Sequence, residues 1–395
     1  MGENNENDTK RFRSCPRSGR LRSLFTPDYA GHSNGGSQVS TSLSRSTSAL
    51  AVVLTAGALL VSAAGCSANT SPSAGSSISA ATGSEPVKGR PIPVQNTANK
   101  PVKIAIVDFP SQVAEVFKAS EAGASRAQQV LKGYNVTVDY LPVTTISADG
   151  VNQVVRTAMT EGYDAIAVTL LGAANCAPMK EAVDKGIKVA AIMSSADCVQ
   201  GTGALFYHGE DSLPAWTAIG KQMAEATGTE PCTAGVITGF FSAPQHEARR
   251  EGLLAGIAGS HVTAVGKGVE AGVDPAKYAA AARDYVTANP DLCAILITTG
   301  DNGAAAATLT PEQAAKIKVV SSDLTSGTRK QIESGKQYAA VEQDPFGSTY
   351  DSSIWLYNAV ITGNGPEGGF NQPVKNLVVT KDNLQEALRM QTEGA

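Results

Sequence analysis

Val102–Asp108 reads VKIAIVD, a near-continuous apolar run that ends in an acid. Two later segments repeat the pattern, Ala165–Leu170 (AIAVTL) and Lys188–Met193 (KVAAIM). Continuous apolar runs, as opposed to alternating ones, are typical of parallel strands that are buried on both faces. These three segments therefore predict a parallel sheet that is covered by helices on both sides.

Segments with helical spacing of apolar residues separate these strands, beginning with Val113–Leu131. The same alternation starts again at the predicted strand Thr233–Gly239 and continues to a last predicted helix, Gly347–Thr362. Strands that alternate with helices through short loops predict a doubly wound α/β sheet. Two such halves in one chain predict two domains, with a ligand cleft outside the carboxyl ends of the strands.

Ala49–Ala64 is an apolar run that is followed by Gly65 and Cys66. It is shorter than the ~20 apolar residues of a membrane span and has the length of the apolar core of an export signal. Its end, Ala-Ala-Gly-Cys, resembles a bacterial lipobox, which implies that Cys66 carries a lipid anchor and is the first mature residue. The alternatives are a plain secretory signal cut near Ala64 and a buried apolar helix with a chance cysteine.

The residues around this run are polar. Met1–Ser48 is rich in Ser and Arg and is unusually long for the start of an export signal, so we expect translation to begin near Val39 or Leu43. Residues 1–66 are thus interpreted as a signal peptide with an overlong leader. Residues 67–100 are rich in Ser, Ala, Thr, Gly and Pro and are predicted to be a disordered tether, because they hold too little apolar surface to fold.

Size and charge limit the classes of function. The chain has 395 residues, 42% of them hydrophobic, and a formal net charge of −4. This length allows a large core in one or two domains. An acidic protein is a poor partner for the phosphates of nucleic acid, so no nucleic-acid partner is expected. No later segment approaches ~20 uninterrupted apolar residues, so no second membrane segment is predicted.

Cysteine usage agrees with export. Outside the leader and Cys66, the chain has four cysteines: Cys176, Cys198, Cys232 and Cys293. An even number in an exported protein predicts two disulfides, and four cysteines allow three pairings. Four buried thiols are the alternative.

The usual signatures of enzymes are absent from the sequence. It contains no G-x-S-x-G, H-E-x-x-H, C-x-x-C or P-loop motif, and no paired-carboxylate site is evident. The histidines of the body, His208, His246 and His261, lack the spacing of metal ligands. We therefore expect neither a metal nor a cofactor, and a protein that is not an enzyme.

Polar and aromatic residues follow the predicted strands where each strand ends. Asp, Gln and Arg pair well with sugar hydroxyls, and aromatic faces cover the C–H patches of a sugar ring. The alternative is that such acids cap the next helix. The candidate ligand-binding residues are Asp108, Phe109, Ser194, Ser195, Phe240, Arg249, Asp301, Asp323 and Gln343.

Longer motifs make a resemblance specific. Lys103–Leu384 resembles the periplasmic binding proteins of ribose-type sugar ABC transporters. GVITGFFSAPQHEARREGLLAGI is similar to that family's strand, loop and R-x-x-G helix, which implies that Arg249 is its sugar-binding Arg. Asp323 in VVSSDLT likewise matches a ligand residue of the family. Gln343 in VEQDPFGSTY matches a ligand or hinge residue. ILITTGDNGAAAA resembles the N-D-x-x-A-x-G-A stretch, with Gly300 in place of the binding Asn.

The resemblance implies the architecture. Two doubly wound α/β domains joined by a three-strand hinge are expected, one of residues 102–210 plus 344–370, the other of residues 211–343 plus 371–390. On this fold the disulfides are expected to be Cys176–Cys198 and Cys232–Cys293. The resemblance also implies a monomer whose closed, ligand-bound form docks on the membrane permease of an ABC importer.

The departures from the family bear on the ligand. Phe109-Pro110-Ser111 stands where the family often has two aromatics, and Ser194-Ser195 stands where it often has Asp-Arg. The loss of these strong hydrogen bonds argues against ribose itself. A different sugar, a modified sugar and a small non-sugar stay open. A lipoprotein sensor that feeds a receptor is the alternative function, and a sugar-modifying enzyme is a more distant one.

Overall fold

The structure is a computed structural model, which describes residues 83–394. Its strands are β1 (Val102–Asp108), β2 (Val136–Pro142), β3 (Ala165–Thr169), β4 (Lys188–Met193), β5 (Phe206–Gly209), β6 (Cys232–Thr238), β7 (Val262–Ala264), β8 (Val269–Glu270), β9 (Leu292–Ile297), β10 (Lys318–Ser322), β11 (Ala339–Glu342), β12 (Asn371–Pro373) and β13 (Leu377–Val379). Its α-helices are α1 (Phe117–Leu131), α2 (Ala148–Thr160), α3 (Cys176–Asp184), α4 (Ser212–Ala226), α5 (Pro244–Ile257), α6 (Pro275–Ala288), α7 (Ala304–Ala307), α8 (Pro311–Lys316), α9 (Ser326–Glu333), α10 (Pro345–Thr362) and α11 (Leu384–Glu393). The interpreted signal peptide, the start of translation and Cys66 lie outside these residues.

The first domain is built on a parallel sheet of order β12-β5-β4-β3-β1-β2. Alternate residues of β1 enter two different cores. Ile104 and Ile106 pack with α1 and α10, whereas Ala105 and Val107 pack with α2 and α3 on the opposite face. This burial on both faces is the physical reason for the continuous apolar run from Val102.

The second domain repeats the design with the order β13-β11-β10-β9-β6-β7, and β8 adds to β6. Its pairs are parallel except β13, which runs antiparallel to β11. Val236 of β6 packs in a core with α4 and α5, and its neighbour Ile237 packs in another with α6. The predicted pair of doubly wound α/β domains is confirmed.

The strand order reverses once in each sheet. In the first sheet β2 and β3 lie on either side of β1, and in the second β7 and β9 lie on either side of β6. The crevice at such a reversal, outside the carboxyl ends of the strands, is where doubly wound sheets bind ligands. The fold thus has two half-sites, one at the ends of β1 and β3 and one at the ends of β6 and β9.

Three connections join the domains: β5 to α4, β11 to α10, and β12 to β13. The expected boundary needs one correction. Residues 371–373, assigned from the sequence to the second domain, form β12, which pairs with β5 of the first sheet. The sequence Asn-Gln-Pro is too short and too polar to indicate a strand, and its place depends on pairing with β5.

The expectation of a disordered tether is wrong for its second half. Residues 83–100, which we call the strap, contain neither helix nor strand but pack along α10. The backbone N–H of Val87 donates to the Tyr350 hydroxyl at 3.0 Å, and that of Val94 donates to Asn358 Oδ1 at 2.9 Å. The strap is ordered by hydrogen bonds to the helix, which its own polar composition does not reveal.

The remaining features concern the surface and the cysteines. Cys176 at the start of α3 is bonded to Cys198, and Cys232 on β6 to Cys293 on β9, with S–S distances of 2.04 Å and 2.14 Å. In residues 83–394, no helix is both long and apolar enough to cross a membrane.

Candidate ligand-binding site

A cavity of ≈ 190 Å³ lies between the domains, at the carboxyl ends of their strands. Hydrogen bonds cross from one domain to the other beside it. Gln245 Nε2 on α5 donates to the carbonyl of Met193 at the end of β4, at 3.0 Å. Ser326 Oγ at the start of α9 donates to Glu115 Oε2 at 2.7 Å. The domains are therefore closed over the cavity.

Arg249 is the basic residue with a guanidinium in its wall, and it is 2% exposed. Its Nε donates to Glu210 Oε2 at 2.7 Å, and its Nη2 donates to Gln343 Oε1 at 2.6 Å. Its Nη1 donates to the carbonyl of Thr298 at 3.0 Å and to Ser322 Oγ at 3.1 Å. Most of the guanidinium is thus engaged by the protein, which leaves it little capacity for a ligand.

Glu210 completes this network from the first hinge connection. It accepts a hydrogen bond from Ser212 Oγ at 2.6 Å and one from Trp216 Nε1 at 2.9 Å, besides the ion pair with Arg249. The buried pair joins helix α5 to the hinge. A buried ion pair is tolerated only when its remaining donors and acceptors are satisfied, as they are here.

Asp323 and Gln343 lie side by side in the cavity wall. Gln343 Nε2 donates to Asp323 Oδ1 at 2.7 Å, and Ser322 Oγ donates to the same oxygen at 3.0 Å. Among residues 83–394, no hydrogen-bond donor reaches Asp323 Oδ2. Burial raises the pKa of Asp323, against the opposing effect of Arg249. This oxygen is available to accept a hydrogen bond from a ligand.

Gly300 explains one departure from the family pattern. A Cβ at this position would lie 2.8 Å from Asp323 Oδ2, so any side chain would displace the carboxylate. The glycine that replaces the binding Asn of the resembling family therefore permits the observed position of Asp323.

His246 contributes a neutral donor. The backbone N–H of Phe240 donates to its Nδ1 at 3.2 Å, so the ring proton is on Nε2. Burial, assisted by the nearby Arg249, lowers the pKa of His246 to about 3. The Phe240 and His246 rings are stacked with centroids 6.1 Å apart, and both line the cavity.

The structure separates the sequence-predicted residues into two groups. Phe109, Ser194, Ser195, Phe240, Arg249, Asp323 and Gln343 line the cavity. Asp108 and Asp301 do not. Asp108 is fully buried, accepts a hydrogen bond from the N–H of Phe109, and has its pKa raised to about 6 by burial. Asp301 accepts hydrogen bonds from the N–H groups of Gly303 and Ala305, as the capping alternative described.

Several lining residues were missed by the sequence analysis. Gln245 and His246 precede Arg249 by one turn of α5, so the helical spacing could have identified them. Phe117 at the start of α1 carries a similar signal. Ile146 and Val273 lie in loops, where no periodic pattern points to them.

Comparison with known proteins identifies a family and several solved structures that this chain resembles. The sequence profile described as periplasmic binding protein domain matches residues 109–365. An ABC transporter solute-binding protein from Burkholderia graminis, solved in complex with D-arabinose, is similar at 23% identity and TM-score 0.62, over 73% of this chain and 98% of its own. A glucose-galactose binding protein from Geobacillus stearothermophilus is similar at 21% identity and TM-score 0.63, over 72% of this chain and 99% of its own.

A third similar structure is a carbohydrate transporter from Acidothermus cellulolyticus in complex with myo-inositol. It is 21% identical, with TM-score 0.63, over 74% of this chain and 99% of its own. No curated protein matches the sequence. At these identities the likeness to solved structures establishes the fold.

Proposed function

This chain belongs to the periplasmic binding protein family, and from that premise we propose that it is the exported solute-binding protein of an ABC importer, which binds a sugar or sugar-like molecule between its domains. The observation that carries the proposal is the cavity at the carboxyl ends of both sheets, with hydrogen bonds between the domains beside it. A ligand that contacts both domains stabilises the closed form by its differential contacts.

The ligand class is supported from two sides. Asp323, Gln343, Gln245 and His246 provide neutral and acidic hydrogen-bonding groups in the cavity, and Phe109 and Phe240 provide aromatic faces. Similar solved structures are described with D-arabinose and myo-inositol. The proposed binding residues are those of the cavity wall, with Asp108 and Asp301 in supporting positions behind it.

A thermal-shift screen of sugars and small polyols on Ser67–Ala395 tests the proposal. A ligand at 100 times its Kd adds about 2.7 kcal/mol to the free energy of unfolding. We expect a clear rise of Tm with at least one compound of the panel. A flat response across all of them would count against a sugar-like ligand.

The lipid anchor and the membrane permease are part of the same proposal. Cys66 is proposed as a lipidated residue that holds the protein at the outer face of the membrane. We expect the wild-type protein to partition with detergent and the Cys66→Ala variant to remain in the aqueous phase. A permease that co-purifies with the ligand-loaded protein supports import, whereas a membrane kinase in its place supports the sensor alternative.

A further inference from the structure

The walls of the cavity are mostly apolar. More than half of the lining residues are aliphatic or aromatic. Phe109 and Phe117, whose ring centroids are 5.5 Å apart, form one side with Leu170 and Met193 of the first domain. Phe240 lines the cavity from the second domain. Such walls favour apolar ligand surface and leave hydroxyls that meet them without partners.

Arg249, Asp323 and Gln343 form a polar cluster beside the hinge, and most of their polar atoms are already hydrogen-bonded to the protein. Arg249 uses four hydrogen bonds within the chain, and Gln343 accepts from Arg249 while it donates to Asp323. The side-chain groups left for a ligand include Asp323 Oδ2, the Nε2–H of His246 and the hydroxyls of Thr169 and Ser195. They can bind the polar edge of a ring.

Two exposed apolar side chains lie where the cavity meets solvent. Ile146 of the first domain is 43% exposed and Val273 of the second is 57% exposed, and both line the cavity. Large apolar side chains on the surface mark binding sites when they cluster. Here they stand on the two domains at the cavity opening, so an apolar part of the ligand has contacts there from both domains.

Resting on the proposed function, we propose that the ligand is amphipathic: a sugar-like ring whose polar edge meets Asp323 and His246, and whose apolar substituent reaches Ile146 and Val273. A free aldose carries hydroxyls around its whole ring, each needing a donor or acceptor partner. Against Phe109, Phe117 and Leu170 those hydroxyls lose water and gain no partner. A glycoside with an apolar aglycone replaces the anomeric hydroxyl with a group that apolar side chains can cover.

The cavity volume of ≈ 190 Å³ limits the size of the ligand. It is below the ~300 Å³ at which sites for drug-sized molecules begin. A monosaccharide glycoside with a single small aglycone is therefore the class of ligand, with the aglycone at the open end. An oligosaccharide is too large for this closed form.

Titration calorimetry of the purified protein with matched probes tests the proposal. Pentoses, hexoses and myo-inositol are each compared with their methyl and phenyl derivatives, and benzyl alcohol serves as an apolar probe without a sugar. We expect at least one phenyl derivative to bind about tenfold more tightly than its parent sugar, because it buries further apolar area. Equal or tighter binding of the parent sugar in every pair overturns the inference and upholds the proposed sugar-like ligand.

Two variants with matched controls locate the substituent. Val273→Ser and Ile146→Ser are expected to weaken the phenyl derivative about fivefold each, with little change for the parent sugar. Val269→Ser and Ile92→Ser remove exposed apolar side chains that do not line this cavity and are expected to change neither affinity. Equal loss in the controls and the cavity variants contradicts the proposal.

The remaining outcomes separate the two levels of inference. If benzyl alcohol alone binds, and Val273→Ser weakens its binding, the result supports an apolar ligand site and overturns the proposal that the ligand is sugar-like. Binding of none of the probes overturns both.

Discussion

Arg249 lies where helix α5 meets the hinge, and its role follows from its contacts. It matches the sugar-binding Arg of the resembling family, yet its guanidinium is paired with Glu210 and hydrogen-bonded to Gln343 on the β11–α10 connection. Its carbon atom Cζ lies 5.3 Å from the centre of the Trp216 ring. We therefore interpret Arg249 as the residue that fixes α5 to two hinge connections and so positions Gln245 and His246.

Replacement of Arg249 is expected to be costly for stability. Arg249→Met leaves Glu210 as a buried charge without its partner, and breaking a buried pair in this way costs about 3–5 kcal/mol. The double variant Arg249→Met/Glu210→Gln removes that charge and is expected to recover at least ~1 kcal/mol of the loss. Urea denaturation of the three proteins measures both effects. A single variant within ~1 kcal/mol of wild type would contradict this account.

Glu342 at the end of β11 makes the stability depend on pH. It is fully buried, its Oε1 has no partner in the described chain, and Oε2 accepts from the N–H of Leu324 and from Gln391. Burial first, and then the charge of Asp323, raises its pKa to about 8 from an ordinary value of 4.5. Between these values the folded chain holds a proton that the unfolded chain releases.

The free energy of unfolding is therefore expected to fall as pH rises from about 5 to 8, by at most ~1.4 kcal/mol per pH unit from this group. Glu342→Gln keeps the shape and removes the titration. Its stability is expected to exceed that of wild type at pH 8 and to show a shallower pH slope. Urea denaturation at pH 5.5, 7 and 8 provides the measurement, and an unchanged slope would refute the assignment.

At the scale of elements, the sequence predicts a helix or strand when its own pattern of apolar residues shows which of its faces are buried. The central strands β1, β3 and β4 are apolar on both faces, so their burial is evident from Val102–Asp108 and its repeats. The strap, β12 and α11 escape prediction because distant partners order them. The candidate site divides likewise: strand-end residues such as Asp323 are predictable, whereas Ile146 and Val273 lie in loops that only the tertiary fold brings together.

Arg90 adds side-chain hydrogen bonds to the backbone bonds that hold the strap. Its Nη2 donates to both carboxylate oxygens of Asp344, its Nη1 to Asp351 Oδ2 at 3.0 Å, and its Nε to the carbonyl of Gly394 at 2.8 Å. Asp344 is the hinge residue that begins α10, and Gly394 ends α11. The strap thus joins the hinge to the C-terminal helix.

Arg90→Ala is expected to lower the free energy of unfolding by about 2–4 kcal/mol, because it leaves two largely buried carboxylates without their cation. Trypsin cleavage after the exposed Lys88 should become faster as the strap loosens. Arg156→Ala, which removes an exposed ion pair with Glu181, is the control and should behave as wild type in both assays. Equal protease resistance of the Arg90 variant and wild type would contradict the role of the strap.

At the scale of the whole molecule, the two domains are similar in design but unequal in contribution. The first supplies most of the apolar wall of the cavity, and the second supplies most of the polar groups through α5, Asp323 and the adjoining hinge. Neither half holds a complete site. Ligand binding and domain closure are therefore one equilibrium, and any contact that crosses between the domains affects affinity even when it does not touch the ligand.

The two crossing contacts provide a test of that equilibrium without a ligand. Gln245→Ala removes the bond to the carbonyl of Met193, and Ser326→Ala removes the bond to Glu115. Each bond contributes about 0.5–1.5 kcal/mol to the closed form, so loss of both is expected to shift the open-to-closed ratio by a factor of about 5 to 150. Small-angle X-ray scattering should then show a larger radius of gyration for the double variant than for wild type, while Arg156→Ala leaves it unchanged.

Because both substitutions lie on the surfaces that separate on opening, the stability of each domain should stay close to that of wild type. Identical scattering of the double variant and wild type would show that these bonds do not govern closure.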